Sequence, residues 1–314
     1  MDISFYRNGD EAREIIYKYF SLPRCSNKDS SNCDNDHAVR LGYIISLLEK
    51  GELFFSGTRE VNDIFDSLID YKFDGWERDI KVWFDDFLKS EEVDETIKAD
   101  FRNTLASNQK DKYALAAAKI ECHYKLHRFE EGEQANARIC CFADSWDVSP
   151  MWGHYASSHH GVCIGFEVEF FKSGSEDGYL AMDFQENAPN GSSSTKFPLL
   201  PITYTDSRPK PLAIFCQNED YRQFKVKEFL LTKHIDWQYE QERRILSVAD
   251  INESIPKKLF HIKPGVIREV IFGLRTTECD KAQLRPYILT NPNTCIYQVE
   301  LPPNDFQLIR KLIR

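Results

Sequence analysis

The chain has 314 residues, 42% of them apolar and 13% aromatic, with a formal net charge of -10. That length and composition exclude a mainly disordered polymer and supply core enough for one large domain or two small ones. The acidic balance argues against a broad phosphate-tracking surface, although net charge does not report how charge is distributed.

In chain order, the opening residues Met1 to Arg7 hold no apolar run of the signal-peptide kind. Ile15 to Phe20 reads as a first strand, followed by a polar loop over 26–32. A helix is expected from about Asp36 to Lys50, with Leu41, Ile44, Ile45 and Leu48 at core spacing and Gly51 as its stop. Leu53 to Ser56 reads as a second strand. Ile80, Trp83, Phe84, Phe87 and Leu88 then recur at helical spacing, Ile97, Phe101 and Leu105 continue the pattern, and Tyr113 to Phe129 reads as a long helix. The region 76–138 is therefore a helical insert lying over a sheet.

From Ile139 the texture changes to short apolar runs. Strands are expected at Ile139–Phe142, Val162–Val168, Ile202–Tyr204, Arg244–Val248, Val266–Phe272 and Ile296–Leu301. Residues 172–198, rich in glycine and serine, read as a flexible surface loop, and Tyr221 to about His234 as a helix. The mixed order of elements favours an α+β fold with a mixed, mainly antiparallel sheet, as a single domain over 1–314. No run approaches the roughly 18 apolar residues of a membrane span. Nine scattered cysteines, several among strand-like neighbours, suit free thiols in a reducing cytoplasm.

Three clusters carry candidate chemistry, each beside a structural explanation. Val61-Asn62-Asp63-Ile64-Phe65-Asp66 suits an Asx turn or helix cap, or a ligand contact through Asn62 or Asp63 at the mouth of the sheet. Met151-Trp152-Gly153-His154-Tyr155 supplies core or pocket aromatics and one histidine that could meet a ligand. Glu240, Glu242 and Arg244 fall on one face if the strand begins at Tyr239, and two readings follow. They form a salt-bridged rung, or the carboxylates orient a sugar hydroxyl and stabilise an oxocarbenium-like centre. Cys25, Cys33 and His37 have a loose zinc-like spacing without a fourth ligand, so no metal is expected. Phosphate-binding glycine loops, the nucleophile elbow and the zincin motif are absent from the sequence.

These motifs together resemble the bacterial family known as domain of unknown function 2971. The resemblance rests on Tyr17-Lys18-Tyr19, on Val61 to Asp66 (with Val61 and Ile64 where the family has Phe and Pro), and on Cys141-Phe142-Ala143. It continues through Met151-Trp152-Gly153-His154-Tyr155, the set Trp237, Glu240, Glu242 and Arg244, and the late Val270-Ile271-Phe272-Gly273. More distantly, the order of a Tyr-Lys-Tyr strand, a helix into a strand ending at Ser56, and a late Glu-x-Glu resembles the ADP-ribosyltransferase plan. That second resemblance implies NAD as substrate and no metal. Glu242 would be the catalytic carboxylate, with Glu240 aiding the acceptor. Lys18 and Tyr19 would grip NAD, Ser56 and Asn62 would line its pocket, His154 and Tyr155 would pack on the nicotinamide, and Arg244 would hold the carboxylates. The expectation is an enzyme modifying a protein or nucleic acid, as a toxin or anti-phage effector would. The alternative is a non-catalytic nucleotide-sensing or protein-interaction module working with a partner from the same defence operon.

Overall fold

The computed structural model describes residues 13–23, 31–58, 60–72, 77–89, 95–107, 112–113, 115–116, 137–171, 179–185, 194–213, 218–248, 259–263 and 265–314. Its first half contains β1 (Arg13–Phe20), α1 (Ser31–Lys50), β2 (Glu52–Phe54), β3 (Ser56–Gly57), β4 (Tyr71–Lys72), α2 (Glu77–Lys89) and α3 (Glu95–Ala106). Next come β5 (Ala137–Ala143), α4 (Ser149–Tyr155), β6 (Val162–Phe171), β7 (Tyr179–Gln185), β8 (Ser194–Pro198), β9 (Leu200–Pro201), β10 (Thr203–Thr205) and β11 (Leu212–Ala213). The last part holds α5 (Glu219–Leu230), β12 (Thr232–His234), a 3₁₀ turn (Ile235–Glu240), β13 (Glu242–Val248), β14 (Leu259–Ile262), β15 (Ile267–Phe272), α6 (Glu278–Leu289), β16 (Cys295–Glu300) and β17 (Ile309–Leu312).

The main sheet runs β17-β16-β15-β6-β1-β5-β13-β9, with β2, β3, β7, β8 and β14 attached along its length. Every pairing within it is antiparallel except β15 with β16, so the α+β class and the mainly antiparallel sheet are as expected. Alternation along β1 divides the core in two. Ile16 and Phe20 join a large cluster with Phe142, Ile164, Phe166 and Val270, which is closed by Leu41, Ile44 and Leu47 of α1 and Leu284 and Ile288 of α6. Ile15, Tyr17 and Tyr19 point the other way, onto Trp152 and Ala156 around α4.

The central strands end at a tightly built corner. Ser157, Ser158 and His159 all have positive φ, which brings the chain leaving α4 back to β6. A Cβ on Gly161 would lie 2.0 Å from the Phe20 carbonyl oxygen, and one on Gly273 would lie 2.4 Å from that of His159. No side chain fits either place. Gly51 has φ 71 and ends α1 as expected.

Several elements differ from the sequence reading. The segment 172–198, expected as a loop, contains β7 and β8, which pair with each other. The strand expected at Leu53–Ser56 breaks at Phe55, whose ring enters the core against Phe260 at 4.3 Å. The helix expected to reach His234 ends at Leu230, so Thr232–His234 pairs in parallel with β10. In the expected insert, α2 and α3 pack Phe84 and Phe87 on Phe101. Most of the helix expected over Tyr113–Phe129 lies outside the described residues.

The corner generates a direct test. Gly161→Ala should lower unfolding stability by about 1–3 kcal/mol, because the clash is with backbone. A urea midpoint equal to that of the wild type would contradict the close approach.

Candidate functional site

A dense constellation of buried polar groups lies where β13 begins. Gln241, in a left-handed conformation with φ 45, separates the 3₁₀ turn from β13. Glu240 is therefore not on the strand, as the sequence reading had it. Glu242 and Arg244 share a strand face by period two, and Glu240 reaches the same place from the turn before them.

All three are buried: Glu240 is 2% exposed, Glu242 6% and Arg244 0%. Arg244 Nε donates to Glu242 Oε1 at 2.6 Å and Nη2 donates to Glu242 Oε2 at 3.1 Å. Its Nη1 and Nη2 grip both oxygens of Asp66 at 2.8 and 2.6 Å, while Nη1 also donates to Ser67 Oγ and the Leu230 carbonyl. Lys233 completes the group: Nζ donates to Glu240 Oε2 at 2.5 Å and Glu242 Oε2 at 3.2 Å, and lies 3.6 Å from Asp66 Oδ2. Tyr155 donates to Glu240 Oε1 at 2.6 Å, and the Glu242 backbone N–H donates to Tyr204 Oη at 2.8 Å.

Three carboxylates thus meet two cations, leaving one excess negative charge when all are ionised. Such an arrangement survives desolvation only because each charge is paired and hydrogen-bonded. Burial pushes the Glu242 carboxyl up, but Arg244 and Lys233 overcome it and hold the group at about 2. For Glu240, burial wins over Lys233 and Tyr155, and the carboxyl is raised. Burial disfavours the Lys233 ammonium, yet Glu242 and Glu240 more than compensate, so it stays charged.

Lys233 also lines a cleft of about 460 Å³. The cleft draws Asp63, Phe65 and Leu68 from one loop, Thr205 to Pro209 from the segment after β10, and Thr232, Lys233, His234, Asp236 and Trp237 from β12 and the 3₁₀ turn. Lys233 Nζ lies 4.9 Å from the Trp237 ring centroid, so one side chain joins the buried charges to the cleft wall. Asp63 Oδ1 accepts from the Phe65 N–H, an Asx turn that presents Phe65 at 59% exposure.

The remaining sequence candidates divide. His154 is exposed and forms an aromatic group with Tyr155, Trp237 and Tyr239, with ring centroids 6.1–6.5 Å from its own. Lys18 Nζ donates to the Cys141 carbonyl at 3.0 Å and sits over the Phe142 ring. Tyr19 donates to the Ser145 carbonyl and packs edge-on to Trp152. Ser56 pairs with Ile139 in the sheet, and Asn62 is exposed. None of these four lines the cleft or bonds to the buried carboxylates. Cys25 and the Cys33 side chain lie outside the described residues, and His37 pairs with Asp280 at 3.1 Å. Among the described residues no group of three or more His, Cys, Asp or Glu is placed to hold a metal ion. Asp66, Lys233 and Tyr204 were not among the sequence candidates. Asp66 closes a quoted motif, but nothing in spacing pairs it with Arg244, 178 positions away.

The family model described as "Protein of unknown function (DUF2971)" matches residues 151–245. The chain carries that family's pattern from α4 to β13, a stretch containing His154, Tyr155, Lys233, Glu240, Glu242 and Arg244. No curated protein and no solved structure matches the chain. No helix among the described residues is long and apolar enough to cross a membrane.

The depressed Glu242 carboxyl gives a pH dependence with a definite sign. Its folded-state value lies below its unfolded one, so its contribution is present above about pH 4.5 and is lost as pH falls towards 2. Acid denaturation followed by circular dichroism should show a transition in that window that is shallower in Glu242→Gln. Identical pH slopes in the two proteins would contradict the assignment.

Proposed function

We propose that the cleft binds NAD or a related nucleotide, and that the buried charge cluster fixes the cleft floor without entering the chemistry. The observation that carries the second half is the engagement of Glu242. Its two oxygens accept three hydrogen bonds from Arg244 and Lys233 at 6% exposure, which leaves little surface for a ribose hydroxyl.

The cleft chemistry supports the ligand class. The nicotinamide ring of NAD is planar and positively charged. Phe65 and Trp237 offer ring faces, and Asp63, Asp206 and Asp236 offer carboxylates. Arg208 and His234 would meet the diphosphate by turning from Asp70 and Asp236, and Thr205, Ser207 and Thr232 supply hydroxyl groups. The volume falls within the roughly 300–1,000 Å³ usual for small-molecule sites.

ADP-ribosyl transfer is the second reading, favoured by the excess negative charge beside the cleft. A carboxylate field at that distance stabilises an oxocarbenium-like centre. This reading requires Lys233 to move off the carboxylates when substrate enters, exposing Glu240 or Glu242.

Calorimetric titration with NAD separates these accounts. The binding reading predicts saturable association, weakened about tenfold in Trp237→Ala by loss of one stacking face. It also predicts that incubation with labelled NAD and lysate leaves NAD intact and nothing labelled. Labelling by the wild type that disappears in folded Glu242→Gln would establish transfer instead. Absence of NAD binding would overturn both readings.

A further inference from the structure

We propose that β17 is a docking edge for an extended segment of a partner protein in which acidic and apolar residues alternate. The strand closes one end of the main sheet, and among the described residues it pairs only with β16. An edge strand directs alternate backbone N–H and C=O groups outward, a template for an added strand.

Short length and lysine blunt natural edges, and β17, four residues long with Lys311, has both, yet it is also partly apolar. Ile309, Leu312 and Ile313 are exposed on or beside it, with Leu312 at 56%. Leu301, at 63%, and the fully exposed Phe306 stand on the connection leading into it. Five large apolar side chains are thus in solvent within 301–313, with Phe306 suited to anchor in a partner's pocket.

The edge is also rigid. Glu269 grips the Arg310 guanidinium, which lies 4.2 Å from the Tyr297 ring centroid and 5.0 Å from that of Trp146. Tyr17 donates to the same carboxylate at 3.2 Å, so β17 is tied to β15 and to β1 across the sheet. A preformed edge loses little conformational freedom when a strand is added.

Charge selects the occupant. The chain carries a net charge of -10, yet Arg310, Lys311 and Arg314 make its last six residues basic. Lys311 is 68% exposed in its side chain, and its nearest carboxylate, on Glu300, is 3.9 Å away. A second copy of β17 fits poorly. Full antiparallel overlap sets Lys311 opposite Arg310, and parallel overlap sets Lys311 opposite Lys311, like-charge pairs that destabilise a ladder. A partner strand with glutamate or aspartate at alternate positions places an acid against Lys311 and an apolar residue against Leu312, on the other face of the strand.

The test uses the full chain with two short synthetic peptides, one alternating glutamate with valine and the other lysine with valine. The glutamate peptide should bind at least about tenfold more tightly by fluorescence anisotropy. It should slow amide hydrogen exchange in Ile309–Leu312 while leaving the cleft segments unchanged. Lys311→Glu should reverse the preference. Phe306→Ser, at a fully exposed position that does not threaten the fold, should weaken binding. Equal affinity for the two peptides, protection elsewhere in the chain, or no binding would overturn the proposal. So would concentration-dependent self-association that protects β17 without peptide, since the occupant would then be a second copy.

Discussion

Arg244 has no contact with water, and its guanidinium must therefore find all its partners inside the protein. A buried guanidinium left short of acceptors costs several kcal/mol, and so does a carboxylate left without a cation. The fold around β13 satisfies both at once. Asp66 and Glu242 take the two sides of the guanidinium, the Leu230 carbonyl and Ser67 take what remains, and Lys233 balances the outer carboxylates.

That requirement joins segments that sequence keeps far apart. The loop after β3 contributes Asp66 and Ser67, the end of α5 contributes Leu230, β12 contributes Lys233, and β13 contributes Glu242 and Arg244. The loop after β3 also supplies Phe65 to the cleft, β12 supplies Thr232 and His234, and the 3₁₀ turn between β12 and β13 supplies Trp237. The cleft thus takes its shape from the buried ions behind it. Among the described residues Lys233 belongs both to the buried ions and to the cleft wall.

The sequence carried much of the fold because the strands are short apolar runs and α1 has an unambiguous core stripe. It carried less where tertiary contacts overrode local pattern. The expected strand divides at Phe55 because the segment changes partner there, from β14 before it to β5 after it, and β7 and β8 arose in a stretch whose glycines and serines pointed to a loop. At the site, Glu240, Glu242 and Arg244 were legible as a charged group before an apolar run. They read either as a rung of salt bridges or as a catalytic pair; in the structure Arg244 pairs with Glu242 and Asp66, and Glu240 with Lys233. Asp66 was not legible, because ion pairing across 178 residues is decided by sheet and loop placement. Lys233 precedes Glu240 and Glu242 by only 7 and 9 positions, but the 3₁₀ turn and the left-handed Gln241 that bring them together are not encoded by strand spacing. Lys18 and Tyr19 were legible as strand residues, but their polar ends close backbone carbonyls of the segment that follows β5 or lies within it.

The central claim is that Asp66 and Arg244 act as one unit in holding the site together. A double-mutant cycle with Asp66→Asn, Arg244→Gln and the pair, read by urea unfolding, tests it most directly. The account predicts a coupling energy of about 1–3 kcal/mol, with the double variant less destabilised than the sum of the singles. Additivity within about 0.5 kcal/mol would contradict it, since two side chains that add independently do not share a buried ion pair.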